Sequence, residues 1–270
     1  MSQKANLQTI RKILRNINLV TLSPVEFSKG FNLLTYFNEF FRVKNVLINS
    51  SNLNFIANRI QLNFSVFVCS SRIKKITGQF FFKTINQIKN GVSNFILKEL
   101  KILGVSVLVL KITLLNKFCL SFKKNKLLKL FYLRHRAFKD GLFARRNNLF
   151  FDLLKVSFLL SKNLVTSNLF LFLIVQLFKI LPKRKHARFL LLIKKLFKTF
   201  CEDTKNVNSS ISGLKFLISG KLKGKLRTQR SCIQVGKVAT QTISNNIEYS
   251  KTHVFTRYGV FGFKFWIYRY

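Results

Sequence analysis

Acidic residues are almost missing from this chain. Eight Asp plus Glu stand against 48 Lys plus Arg in 270 residues, a formal net charge of +40. Eight carboxylates and three His offer few acid/base pairs, and none forms a recognisable catalytic constellation. No Gly-x-x-x-x-Gly-Lys-Ser/Thr phosphate loop occurs either, so the sequence speaks against an enzyme. Glycine (11) and proline (2) are scarce and the four Cys are scattered; collagen-like and disulfide-scaffold architectures are excluded. Cys69, Cys119, Cys201 and Cys232 form no Cys-x-x-Cys pair, and His135, His186 and His253 lie far from them. Reduced structural thiols are therefore expected, with no metal and no cofactor. Long apolar runs are also lacking. The longest, Leu169 to Leu181, is broken by Gln176 and Lys179 and falls short of the roughly 20 residues of a spanning helix. Met1-Ser2-Gln3-Lys4 lacks the apolar region of a secretory signal, while Arg11, Lys12 and Arg15 leave an amphipathic transit peptide open.

What is present is apolar: 48% of the residues are hydrophobic and 31 are Phe. A chain so rich in large apolar side chains is not disordered throughout, and its length suffices for one large domain or two ordinary ones. A folded interior under a charge of +40 repels itself when alone, so the expected partner is a polyanion. Nucleic acid and an anionic membrane face both qualify. The Phe, Lys, Asn, Ile and Leu usage also fits translation of an AT-rich gene, which points to an organelle-encoded chain.

Along the chain, residues 1–45 carry mixed helical patterning with basic residues at Lys4, Arg11, Lys12 and Arg15. Val46 to Ile48 predicts a short strand and the Asn/Ser-rich Asn49 to Asn54 a turn. From Asn58 to Val68, apolar Ile60, Leu62, Phe64, Val66 and Val68 alternate with polar residues, the mark of a half-buried strand. Residues 80–103 return to helical spacing and Val105 to Leu115 predicts a buried strand, completing a β-β-α-β unit over 46–115. Residues 116–152, with Lys123, Lys124, Lys126, Arg134, Arg136, Arg145 and Arg146 among Phe and Leu clusters, show no clean period and are expected as a basic insertion. Residues 153–181 predict one long apolar helix. Pro182 then opens a second helix over 183–200. There Arg184, Arg188, Lys195 and Lys198 fall within about 80° of one another, opposite Phe189, Leu192, Ile193, Leu196 and Phe200. A basic stripe backed by an apolar one suits a helix packed on a sheet and facing phosphates. The last sixty residues hold six glycines and short alternating segments. Strands are expected at Lys215–Ser219, Lys237–Ile243, Lys251–Tyr258 and Val260–Tyr268, with a basic run from Lys221 to Arg230 between the first two. Phe261, Phe263, Phe265 and Ile267 share one strand face, expected to be buried against a helix, by preference the one at 183–200. The fold class is thus α+β, with a mainly antiparallel C-terminal sheet in a two-layer arrangement over 153–270.

Four ordered elements of this last region carry a resemblance. They are Gly213-Leu-Lys-Phe-Leu-Ile-Ser-Gly-Lys-Leu222, Gly236-Lys-Val238, Asn246-Ile-Glu-Tyr249 and Thr256-Arg-Tyr-Gly-Val-Phe-Gly-Phe-Lys-Phe-Trp-Ile267. They resemble the Gly-Ile-Lys-Val-x-Val-Ser-Gly-Arg-Leu, Gly-Arg-Val, Asp-Ile-Asp-Tyr and Thr-Thr-Tyr-Gly-Val-Ile-Gly-Val-Lys-Val-Trp-Ile elements of small-subunit ribosomal protein three. The start, Met1-Ser-Gln-Lys4, is similar to that family's Met-Gly-Gln-Lys. The resemblance implies a K-homology domain at the β-β-α-β unit, here degenerate. The stretch Cys69-Ser-Ser-Arg-Ile-Lys-Lys-Ile-Thr-Gly78 has no Gly-x-x-Gly to close on phosphates, leaving Arg72, Lys74 and Lys75 to touch RNA. The family also has a basic helix at the mRNA entrance. Lys183-Arg184 aligns with its first cations and Arg188 with a later one. Phe189 and Leu192 occupy two further cation positions, for which Lys194, Lys195 and Lys198 are the available substitutes.

By this resemblance the chain is expected to be a structural constituent of the small subunit of a mitochondrial ribosome in the matrix, in preference to a plastid one. It implies rRNA binding in the head, a share of the mRNA entry channel, and small-subunit proteins ten and fourteen as neighbours, without stable membrane insertion. The RNA-binding residues expected are Lys4, Arg11, Lys12, Arg72, Lys74, Lys75, Arg184, Arg188, Lys194, Lys195, Lys198, Lys221, Lys223, Lys225, Arg227, Arg230 and Lys237. The rival reading is a basic protein of a membrane surface, or a general RNA-binding protein outside the ribosome.

Overall fold

The structure, a computed structural model, describes residues 46–56, 59–68, 107–115, 147–203, 211–242 and 244–269. They form α+β architecture in two separate compact units. The first contains a three-stranded sheet of β1 (Val46–Ile56), β2 (Arg59–Val68) and β3 (Val107–Leu114), in that spatial order. β1 and β2 run antiparallel, β2 and β3 parallel. Phe64 and Val66 are buried on β2, as its alternation predicts, but Phe67 of the other face is buried too and Val68 only partly, so this end of the strand is not half-buried as expected. Parallel pairing requires a crossover between Val68 and Val107; the helix expected over residues 80–103 lies outside the described residues. The predicted turn at Asn49 to Asn54 is instead strand. A bulge between Ile48 and Ser50 absorbs the irregularity, and the Ser65 hydroxyl, 3.0 Å away, accepts the Ser50 N–H there. The small polar residues that mimic a turn thus serve a β-bulge.

The second unit contains three helices and a four-stranded sheet. α1 (Asn147–Ser161) and α2 (Ser167–Ile180) replace the single helix expected over 153–181. α1 starts inside the stretch expected to be insertion. It ends because Asn163 adopts a left-handed conformation, φ 60°. The Asn163 N–H then bonds the Leu160 carbonyl and the Leu164 N–H the Leu159 carbonyl, each at 3.1 Å. This pair of bonds satisfies the last turn and stops the helix. After Pro182 come a 3-10 turn, Lys183–Lys185, and α3 (His186–Asp203).

The sheet has the order β5-β4-β7-β6, antiparallel throughout, from β4 (Ile211–Gly220), β5 (Gln229–Gly236), β6 (Asn246–Thr256) and β7 (Gly259–Arg269). The strand expected at Lys237–Ile243 is not formed over its described residues, 237–242; the pairing segment lies one step earlier, at 229–236. β5 is an edge strand on which Ile233 is the one buried apolar side chain, so alternation was too faint to read. Its end is set by Gly236, at φ 76°, whose missing side chain leaves room for the Ser212 carbonyl.

Phe261, Phe263, Phe265 and Ile267 are fully buried on one face of β7. Two helices share the cover that one was expected to provide. From α2, Phe170 meets Phe265 at 5.3 Å between ring centroids, and Phe178 meets Phe261 and Phe263 at 4.9 and 5.2 Å. From α3, Phe197 stacks on Phe265 at 5.6 Å and meets Phe216 of β4 at 6.3 Å. Offset and edge contacts of this kind add to the burial of the rings themselves.

α2 is also held at its N-terminus. Thr166, at the N-cap, makes no side-chain capping bond to the helix; instead Glu248 of β6 accepts the Ser167 N–H at 3.2 Å. The other oxygen of Glu248 lies 3.2 Å from Nε of Arg269, which is buried. A carboxylate at this position satisfies an otherwise orphaned donor and complements the helix dipole.

Phe265→Ala should destabilise the folded chain by roughly 3–5 kcal/mol, since the ring is buried among three others; denaturant unfolding measures it. A pH effect is also expected. The His186 ring is buried against Phe178, at 4.6 Å, and Phe261, at 5.8 Å. Burial holds its pKa below the ordinary 6.5. Lys183 pushes the same way and the Leu181 backbone opposes. The unfolded chain then takes up a proton before the folded one, so stability is complete above about 6.5 and is lost as pH falls through the lower folded value. The unfolding midpoint followed against pH should show this decline, and His186→Phe should flatten it.

Candidate nucleic-acid interface

α3 is the scaffold of the basic face. Phe189, Leu192, Ile193, Leu196, Phe197 and Phe200 are buried toward the sheet, while Arg188, Lys194, Lys195 and Lys198 are exposed. The stripe predicted from the sequence is therefore on the outside. One member differs: Arg184 sits in the preceding 3-10 turn, so it is exposed but off the helical ladder. Leu191, 59% exposed, lies on the same outer side.

The basic run after β4 folds back against this region. Leu222 is buried and anchors a second 3-10 turn, Leu222–Gly224. Lys221, Lys225 and Arg227 flank it and are exposed, whereas Arg230, exposed on β5, stands by register on the sheet face turned away from α3. Gly224, at φ 79°, lies beside the Lys183 stem. The Lys183 ammonium in turn stands 4.6 Å over the ring of Tyr258 in the β6–β7 hairpin, next to exposed Arg257. Three turns distant in sequence thus meet at one end of the sheet and bring their cations together. Lysine over an aromatic face holds the arrangement without an anion.

Glu248, already engaged by Arg269 and Ser167, sits at the far end of β6 from this hairpin. Asp152 is buried in α1 beside Lys155, 3.5 Å away. Neither reaches the cluster, and the side chains of Glu202 and Asp203, which close α3, lie outside the described residues; exposed cations of this kind hold phosphates whatever the base sequence. Among the described residues no group of His, Cys, Asp and Glu could hold a metal ion.

The other expected residues fall elsewhere. Lys237 is exposed, but it follows β5 at the opposite end, seven residues from Arg230, or about 23 Å along a strand. Lys223 belongs to the 222–224 turn, its side chain lying outside the described residues. Lys4, Arg11, Lys12, Arg72, Lys74 and Lys75 lie outside them altogether. Sequence reasoning missed Arg257 and Tyr258, although they stand inside the Thr256-Arg-Tyr-Gly element; a two-residue link between alternating segments was the available hairpin signal.

Comparison with known proteins converges on the same segment. Residues 191–267 match the family model "Ribosomal protein S3, C-terminal domain". The chain is 35% identical over 89 residues to the small ribosomal subunit protein uS3c of Chlamydomonas moewusii, covering 33% of this chain and 10% of that protein. It is 39% identical over 75 residues to the proteins of the same name from Sorghum bicolor and Zea mays, covering 28% of this chain and 33% of each of theirs. The chain thus spans about a third or less of the length of these relatives. The matched stretch contains most of α3, the basic turn after β4 and nearly all of the four strands, and over it the chain is similar to the C-terminal domain of ribosomal protein S3.

Proposed function

We propose that this protein is a structural, RNA-binding constituent of the small ribosomal subunit of an organelle, a reading that makes it no enzyme. It binds small-subunit rRNA in the head and contributes α3 to the wall of the mRNA entry channel. The observation carrying this reading is the outward basic face of α3, continuous with the three turns, on a domain matching the S3 family. The units contributed are those expected from the sequence: an N-terminal basic arm, a degenerate K-homology-like domain, a basic insertion and the C-terminal domain. Small-subunit proteins ten and fourteen are the proposed neighbours. On the compartment, two supports diverge. AT-rich residue usage favours the mitochondrial ribosome, whereas the chloroplast-type names of the relatives favour the plastid. Organelle fractionation followed by sedimentation decides both points: the protein should travel with small subunits of one organelle. Flotation with lipid instead would support a membrane-surface protein and overturn the reading. No helix among the described residues is long and apolar enough to cross a membrane.

Two outcomes follow from the charge distribution. RNA affinity should fall steeply with salt, each phosphate contact adding about −0.7 to −0.9 to the slope of log K against log salt. Filter binding across a salt series measures it. Arg188→Glu with Lys198→Glu should leave subunit abundance near normal, because anchoring is spread over many cations. The same change should slow translation of messages with structure at the entry side more than that of unstructured ones. Loss of the subunit itself would mean that α3 holds rRNA as scaffold.

A further inference from the structure

The face of the C-terminal sheet turned away from α2 and α3 carries a second set of groups. Strand register places Tyr249 of β6 opposite Trp266 of β7, and Trp266 opposite Lys215 of β4. The two rings lie 5.2 Å apart at 42°, with the Lys215 ammonium 5.6 Å from the indole. In the next row Lys251 of β6 stands directly opposite Lys264 of β7. Like charges opposed across strands cost stability, and among the described residues no carboxylate lies on this face. Packing does not account for the pair, since Lys251 is exposed. Exposed Arg230 of β5 continues the positive charge to the sheet edge.

We propose that this face is a second RNA surface, one that takes single-stranded RNA. A base stacks on the Trp266–Tyr249 pair, and Lys215, Lys251 and Lys264 hold the phosphates on either side. Charge complementarity selects a polyanion, and the aromatic pair selects one with unstacked bases, because a duplex keeps its base faces covered. The surface lies on the other side of the sheet from α3, so the C-terminal domain can stand between two RNA segments. This inference rests on the proposed ribosomal role and adds a site to it.

Trp266 is the single tryptophan of the chain, so its emission reports on this face alone. Full-length protein is titrated with a short unstructured RNA, following both the anisotropy of a labelled copy and the emission of Trp266. Emission should be quenched in step with binding, and much less by heparin, a polyanion without bases. Lys251→Gln with Lys264→Gln should weaken binding roughly tenfold and make the salt slope shallower by about 0.7 for each phosphate that the variant no longer holds. If RNA binds while Trp266 emission and the affinity of the double variant are unchanged, this site is refuted and the ribosomal role stands. If no RNA binds at all, both fall. A photo-crosslinker at position 251 in assembled subunits should capture RNA; capture of protein alone would show a protein-docking face and overturn the proposal.

Discussion

A charge of +40 cannot be balanced from within when eight carboxylates are available, so cohesion has to come from uncharged contact. In the C-terminal domain that contact is a layer of phenylalanine between sheet and helices. Phe265 lies at its centre, touched by Phe170 from α2, Phe197 from α3 and Phe216 from β4. Phe178 joins the two helices through Phe189 at 5.7 Å. Rings suit this role because each buries a large apolar area with few rotatable bonds and packs well at several angles. The cations are then confined to the periphery, where solvent or a polyanion meets them. Glu248 is the notable exception to the scarcity of acid: one carboxylate ties β6, the buried Arg269 and the first turn of α2 together.

Layering of this kind turns a composition into a surface. Once α2 and α3 cover one sheet face, everything basic on α3 points outward and everything basic on the alternate positions of β4, β6 and β7 points the opposite way. The turns at the β6–β7 end complete the first surface because Lys183 reaches Tyr258 and Gly224 admits the Lys183 stem. Two basic surfaces on opposite sides of one domain suit an extended polyanion that approaches from outside more than a small ligand that enters a pocket.

Much of this was legible in the residues. The period of α3 separates Phe189, Leu192, Ile193, Leu196 and Phe200 from its cations, and alternation in β7 identifies its buried face. Family elements in the last region indicated which segments belong together. What escaped had local causes. The break between α1 and α2 depends on one left-handed Asn163 within an apolar run, which periodicity does not register. β5 pairs through its backbone while most of its side chains face solvent, so its polar sequence did not read as a strand. Asn49 and Ser50 have turn-like composition, yet the Ser65 hydroxyl holds them in a bulge. The meeting of three basic turns follows from tertiary packing alone.

The polar character of β5 has a further consequence. An edge strand presents unpaired backbone groups to which another chain can add, and long apolar edges seed aggregation. Here the edge exposes Arg230 and Gln234, and Lys237 follows directly. The opposite edge, β6, exposes Lys251 and His253. A newly made copy with this much phenylalanine is at risk of such pairing. Cations along both open edges make two copies repel where they would otherwise zip together, and binding partners of opposite charge are not hindered. The same charge that would draw in a polyanion thus also works against pairing between copies of the chain.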